Sequence, residues 1–177
     1  MMKYSAPGIV LGFLKTAFLL VIMEIFSSAI FPALGFSDFK PAFNVLIVLY
    51  LAFKMEVPFL PFLILSFQYI HSAFSIEGWA TGTIAGIIIA MSVRYVKDML
   101  SFSSVISTII VVQIFQIAWF LIMAIILTMK VGDVSHFFII FVKYLPESFF
   151  ISIISHHFFK LLDYFWKIDK SGQGVSI

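Results

Sequence analysis

The chain has 177 residues, 62% of them hydrophobic and 11% charged, with mean hydropathy +1.13 and net charge +2. A soluble domain is about 45–50% apolar and about 25% charged, so too little polar surface exists here to coat a water-soluble globule. The composition is that of an integral membrane protein. The small, scattered charge excludes nucleic acid as a partner, and the absence of cysteine excludes disulfides, thiol catalysis and cysteine-ligated metal.

The expected fold is all-α, a single membrane domain over residues 1–177 with six transmembrane helices. The first span covers 8–30. Lys3 before an apolar run, with Ser27-Ser28-Ala29 downstream, resembles a signal peptide. Glu24 lies inside that run and the run is long, so a retained first span is expected. Gly8 and Gly12 form a small-xxx-small pair, a pattern that lets membrane helices approach closely. Pro32 and Gly35 end the span, and Asp38 and Lys40 form a short polar loop.

The second span, 41–54, opens with Pro41 as the first helical residue, a position where proline costs no hydrogen bond. It is shorter than the roughly 20 residues a crossing needs. Lys54 and Glu56 make a tight turn. The third span, 58–74, is opened by Pro58 and Pro61 and interrupted by Gln68 and His71; Glu77 marks the next loop.

The fourth span, 78–96, is charge-free from Gly78 to Val93 and is read as the helix that organises the chain. Gly78, Gly82, Gly86 and Ala90 recur every four residues and share one face. Two readings fit this stripe. It is a groove that seats a partner helix, or it is ordinary close packing within one bundle. Trp79 suits the headgroup layer at one end, and Arg94 and Lys97 suit the other, with Asp98 closing the span.

The fifth span, 104–129, is apolar apart from Gln113 and Gln116, and Lys130, Gly132 and Asp133 follow as a loop. The last apolar stretch contains Lys143, Pro146 and Glu147. Charges far inside hydrocarbon are costly, so a break is expected. Residues 135–145 would form a short interfacial helix, and 146–162 the sixth span, with Glu147 at its favourable N-terminus. The tail 167–177 is expected to fray.

Six crossings put both termini on one side. A cytoplasmic N-terminus places Lys3, Lys54, Arg94, Lys97, Lys160, Lys167 and Lys170 inside, and only Lys40 and Lys130 outside. The positive-inside rule therefore favours both termini in the cytoplasm.

Ionisable residues within the membrane are functional candidates by default. Glu24 is read either as a proton or substrate contact or as a carboxyl bonded to a neighbouring helix; no basic partner is evident at its depth. Lys15 lies nine residues earlier, about 13.5 Å along a helix, and can snorkel to the surface. Gln68 and His71 share a face and either line a cavity or bond across helices. Adjacent His156 and His157 point apart, and His71 and His136 lack partners at ligand spacing, so no metal and no cofactor is expected. No HExxH, GxSxG, GxxxxGK[ST] or DxD-type motif is present, and the chain is read as not an enzyme.

Phe39 to Phe53, FKPAFNVLIVLYLAF, resembles the segment of the MreD rod-shape-determining family in which a basic or polar residue and proline precede an apolar run ending in Leu-Tyr. Lys40, Pro41, Leu49 and Tyr50 carry that resemblance. Gly78 to Val93 is similar to the family's small-residue fourth helix, and 134–160 to its short outer segment before a last helix. The family's third helix commonly carries glycines and an Asp near its outer end; here Ser66, Gln68, His71 and Ser72 stand there. The resemblance implies a fold like that of the substrate-binding subunits of energy-coupling-factor transporters. It also implies a non-enzymatic scaffold role in the bacterial inner membrane. The implied partners are a single-span MreC-like protein, the MreB filament, the elongation-specific peptidoglycan polymerase and membrane lipid. The competing reading is a vitamin-capturing transporter subunit built on the same outline, motivated by Glu24, Gln68 and His71.

Overall fold

The computed structural model describes residues 6–36, 39–55, 57–75, 78–97, 104–132 and 135–166. The expectations placed on Lys3, Asp38, Glu56, Glu77, Asp98, Asp133 and the 167–177 tail lie outside these residues, as do those on the side chains of His136 and Lys143. The described residues are helical apart from short connections. The helices are α1 (Ala6–Ile25), α2 (Phe31–Ala33), α3 (Phe43–Lys54), α4 (Leu60–Ser72), α5 (Trp79–Val96), α6 (Val105–Val131) and α7 (Ser135–Trp166). A π-helical turn, Phe26–Ile30, joins α1 to α2, and Gly35 at φ +88° ends this first rod.

Among the described residues, four stretches are long and apolar enough to cross a membrane: Pro7–Ala33, Trp79–Val96, Val105–Lys130 and Phe137–Trp166. With 12 and 13 residues, α3 and α4 rise only about 18–20 Å at 1.5 Å per residue, less than the roughly 30 Å hydrocarbon layer.

The short helix α3 is the centre of the bundle. Every residue from Phe43 to Ala52 is buried, and α1, α4, α5, α6 and α7 all pack on it. Its sequence has no polar face to turn outward, since only Asn44, Tyr50 and Lys54 carry polar atoms. Lipid is as apolar as this helix, so its enclosure reflects close van der Waals fit and a few hydrogen bonds rather than escape from water.

This moves the organising role away from the glycine-striped helix. Gly78 is the N-cap of α5 at φ +77°, ahead of the helix and off the stripe. Gly82 and Gly86 are buried against α4: a methyl at Gly82 would collide with the Gln68 side-chain oxygen, and one at Gly86 would stand 2.7 Å from Ile64 Cγ2. The Trp119 ring of α6 closes over the same spot, 3.4 Å from where that methyl would stand. Ala90 is buried on the same helix. The groove is thus filled from within the chain, which is the close-packing alternative rather than a seat for an outside partner.

The first rod shows one buried line, Gly12, Thr16, Leu20 and Glu24, at helical spacing of four. Gly12 lies under the Trp166 indole, whose Nε1 donates to Thr16 Oγ1 at 3.0 Å. Gly8, its expected companion, is exposed.

Two expected helix starts shift. Pro41 and Ala42 precede α3 in non-helical backbone, where Ala42 (φ −79°, ψ +75°) forms an inverse γ-turn with the Phe43 N–H donating to the Pro41 carbonyl at 3.0 Å. Pro58 lies in the turn before α4, and Pro61 takes the first-turn position instead.

The expected break at Pro146, with a separate helix at 135–145, is not found. The helix α7 runs unbroken for 32 residues with Pro146 inside it. Contacts with antiparallel α6 clamp both sides of the proline. Phe120 stacks on Tyr144 with centroids 4.5 Å apart, and Gln113 Nε2 donates to Ser148 Oγ at 3.0 Å. Pro146 faces outward, where its missing donor removes one backbone bond without disturbing that packing.

Candidate functional site

The polar side chains within the bundle gather in three stations. The first joins α1, α3, α4 and α5. Glu24, expected to lack a basic partner, meets His71: Oε1 and Nδ1 are 2.7 Å apart. Glu24 is buried, and the His71 side chain is 19% exposed, which places the imidazole at the rim of the contact. One turn back on α4, Gln68 Oε1 accepts from Asn44 Nδ2 at 3.1 Å. Gly82 permits this, since any side chain there would strike Gln68. The pair resembles half of a cyclic amide dimer. Asn44 Oδ1 and Gln68 Nε2 are buried and make no hydrogen bond to the described residues.

A π-helical turn begins two residues after Glu24, and such turns recur at functional sites. Within it Ser28 Oγ donates to the Glu24 carbonyl at 2.7 Å, while Ser27 Oγ is buried with no partner among the described residues.

The second station fixes the entry to α3. Glu147 on α7 is buried, and its Oε1 accepts from the Lys40 N–H at 3.0 Å. The negative charge expected at a new helix N-terminus is met by a loop amide from another part of the chain. Between the Gln113 and Phe120 contacts, Gln116 is fully buried, and neither of its amide atoms is hydrogen-bonded to the described residues.

The third station closes the far end of α3. Tyr50 is fully buried, and its hydroxyl donates to Asp163 Oδ1 at 3.1 Å. Lys54 Nζ stands 3.7 Å from the same oxygen. Asp163 escaped notice in the sequence because it falls just past the expected end of the sixth span. Its signal was present nonetheless: Tyr50 and Lys54 are four apart on one helix face, so a hydroxyl and an ammonium converge and ask for a carboxylate. Leu49, beside Tyr50, is plain core.

The family-like residues thus divide by role. Lys40, just before α3, and Tyr50, within it, are both bonded to carboxylates of α7, Pro41 lies in the entry, and Leu49 fills the centre. The structure unites Glu24, Gln68 and His71 in one station and leaves Glu147 in another. His156 and His157 diverge, their rings edge-on with centroids 5.7 Å apart. Among the described residues no three His, Asp or Glu side chains gather at metal-binding distance.

What the arrangement does chemically is hold helices in register. All three carboxylates among the described residues, Glu24, Glu147 and Asp163, are bonded to groups of other helices or loops. No family model, curated protein or solved structure matches the chain.

Proposed function

We propose that this chain is a non-enzymatic membrane scaffold of the bacterial cell-elongation machinery, similar to the MreD family. In this reading it crosses the inner membrane six times, with α3 and α4 as short crossings and both termini cytoplasmic. It binds an MreC-like single-span protein and, through it, MreB and the peptidoglycan polymerase. The reading rests on the resemblance carried by Lys40, Pro41, Leu49 and Tyr50. The single structural observation in its favour is the engagement of Glu24, Glu147 and Asp163 in contacts between helices. Carboxylates bonded between helices hold those helices in register, which is what a scaffold requires of them.

One observation favours the transporter-subunit alternative. Asn44 Oδ1 and Gln68 Nε2 are buried without hydrogen bonds beside the Glu24–His71 pair. Water-soluble vitamins are recognised by a few placed groups of this type.

Mild cross-linking in native membranes, followed by purification of the full chain and mass spectrometry, separates the two. Enrichment of a single-span MreC-like protein with no co-eluting small molecule is expected. Recovery of a vitamin-like compound together with an ATPase pair would overturn the scaffold reading. Reporter fusions at both termini test the topology, and opposite-side signals would exclude six crossings.

A further inference from the structure

One end of α7 sorts its charges by direction. Asp163 faces inward and is engaged by Tyr50 and Lys54 of α3. Tyr164 faces outward at 75% exposure, and Lys160, one turn away, is exposed on the same side. The rod formed by α1 and α2 runs antiparallel beside this face. Thr16 meets Trp166 at one level, and Phe31 meets Phe150 at another, with centroids 6.3 Å apart. That register brings Lys15 to Tyr164, its Nζ 5.9 Å from the ring centroid. One ammonium therefore lies over an exposed phenol at the meeting of two helices, and a second cation, Lys160, stands one helical turn from that phenol on the same face of α7. Among the described residues neither Lys15 nor Lys160 has an ion-pair partner, because the nearby carboxylate is turned toward α3.

The surface running away from this cluster is apolar. Phe18 and Ile22 continue the Lys15 face of α1, and Ile153 continues the Lys160 face of α7; all three are exposed. A uniform apolar face would be ordinary lipid contact. Here the face is headed by two cations and a tyrosine, the residue types that suit the bilayer–water boundary.

We propose that the α1–α7 seam binds one anionic phospholipid. Its phosphate sits between the ammonium groups of Lys15 and Lys160, beside the Tyr164 hydroxyl, and its acyl chains lie along Phe18, Ile22 and Ile153. A zwitterionic lipid brings its own cation and meets the two lysines with no net charge to neutralise. An anionic lipid supplies that charge, and a basic pocket between transmembrane helices is a known form of such recognition. This site does not depend on the scaffold reading, since it follows from charge placement alone.

The test uses the purified full chain in nanodiscs of phosphatidylcholine with a minor fraction of phosphatidylglycerol, read by native mass spectrometry and by thermal unfolding. One phosphatidylglycerol should be retained in preference to phosphatidylcholine, with a rise in melting temperature. Lys15→Gln and Lys160→Gln should each weaken retention about fivefold, the scale of one lysine near an anionic surface. Lys130→Gln is the control, because that lysine donates to Thr81 at 2.6 Å on another face. A loss in Lys130→Gln equal to that in the seam variants overturns the site, as it would report bulk charge. Competition by inorganic phosphate as effective as by the lipid also overturns it, since the acyl groove would then contribute nothing. If the glutamine variants fail to fold, the native chain decides alone: equal retention of the two lipids sinks the proposal.

Discussion

Glu24 and His71, 47 positions apart in sequence, stand 2.7 Å apart across the α1–α4 contact. Each is the polar partner that the other needs at that depth. Truncating either alone leaves a buried or half-buried polar group without its bond, a penalty of about 1–3 kcal/mol. Glu24→Leu and His71→Leu should each destabilise the folded chain on that scale. The double variant should lose less than the sum of the two, because the second change removes a group already orphaned. Thermal unfolding of the four proteins in one detergent measures the coupling; strictly additive losses would show that the contact carries none.

Gly86 is a close-approach glycine. An added methyl would stand 2.7 Å from Ile64 Cγ2, so Gly86→Ala must push α4 away from α5 or force Ile64 from its rotamer. Overpacking of this kind costs about 1–3 kcal/mol. Adding Ile64→Ala should recover part of the loss by making room. Partner binding lost in Gly86→Ala would then follow from a disturbed bundle, and a melting curve taken beside the binding assay distinguishes the two.

Tyr50→Phe keeps the ring and removes only the hydroxyl that donates to Asp163 Oδ1. A loss of about 1 kcal/mol is expected. Asp163→Asn retains an oxygen to accept from Tyr50 and should be milder than Asp163→Leu. An unfolding series on the three variants tests this order, and a Tyr50→Phe protein as stable as the parent would show that the third station contributes nothing.

Pro146 withholds one hydrogen bond from the carbonyl four residues earlier, and its ring crowds the preceding turn. The clamp of Phe120 on Tyr144 and of Gln113 on Ser148 holds α7 straight enough to remain one helix. Pro146→Ala should restore the bond and raise stability by about 2–3 kcal/mol. Slower hydrogen exchange on both sides of position 146 would accompany the gain. No change in melting temperature or exchange would mean the proline fits its site without strain.

Much of the fold is legible in the residues. The glycine-ended first rod and the apolar fifth helix follow from hydropathy and periodicity. The continuity of α7 was not legible, because a proline and charges inside an apolar run argue for a break unless the neighbouring helix is known. The meaning of the glycine stripe was not legible either. Small residues at a spacing of four announce a close contact and do not say with what.

By itself, then, the sequence determines that this chain is helical and belongs in a membrane, since hydropathy belongs to each residue wherever it lies. The tertiary structure alone decides that the 12-residue helix α3 is the centre, and that Glu24 belongs to His71 and Tyr50 to Asp163. In a lipid-like interior nearly every apolar face is equally satisfied by lipid or by protein. The choice of partner rests on shape and on a handful of hydrogen bonds between residues far apart in the chain.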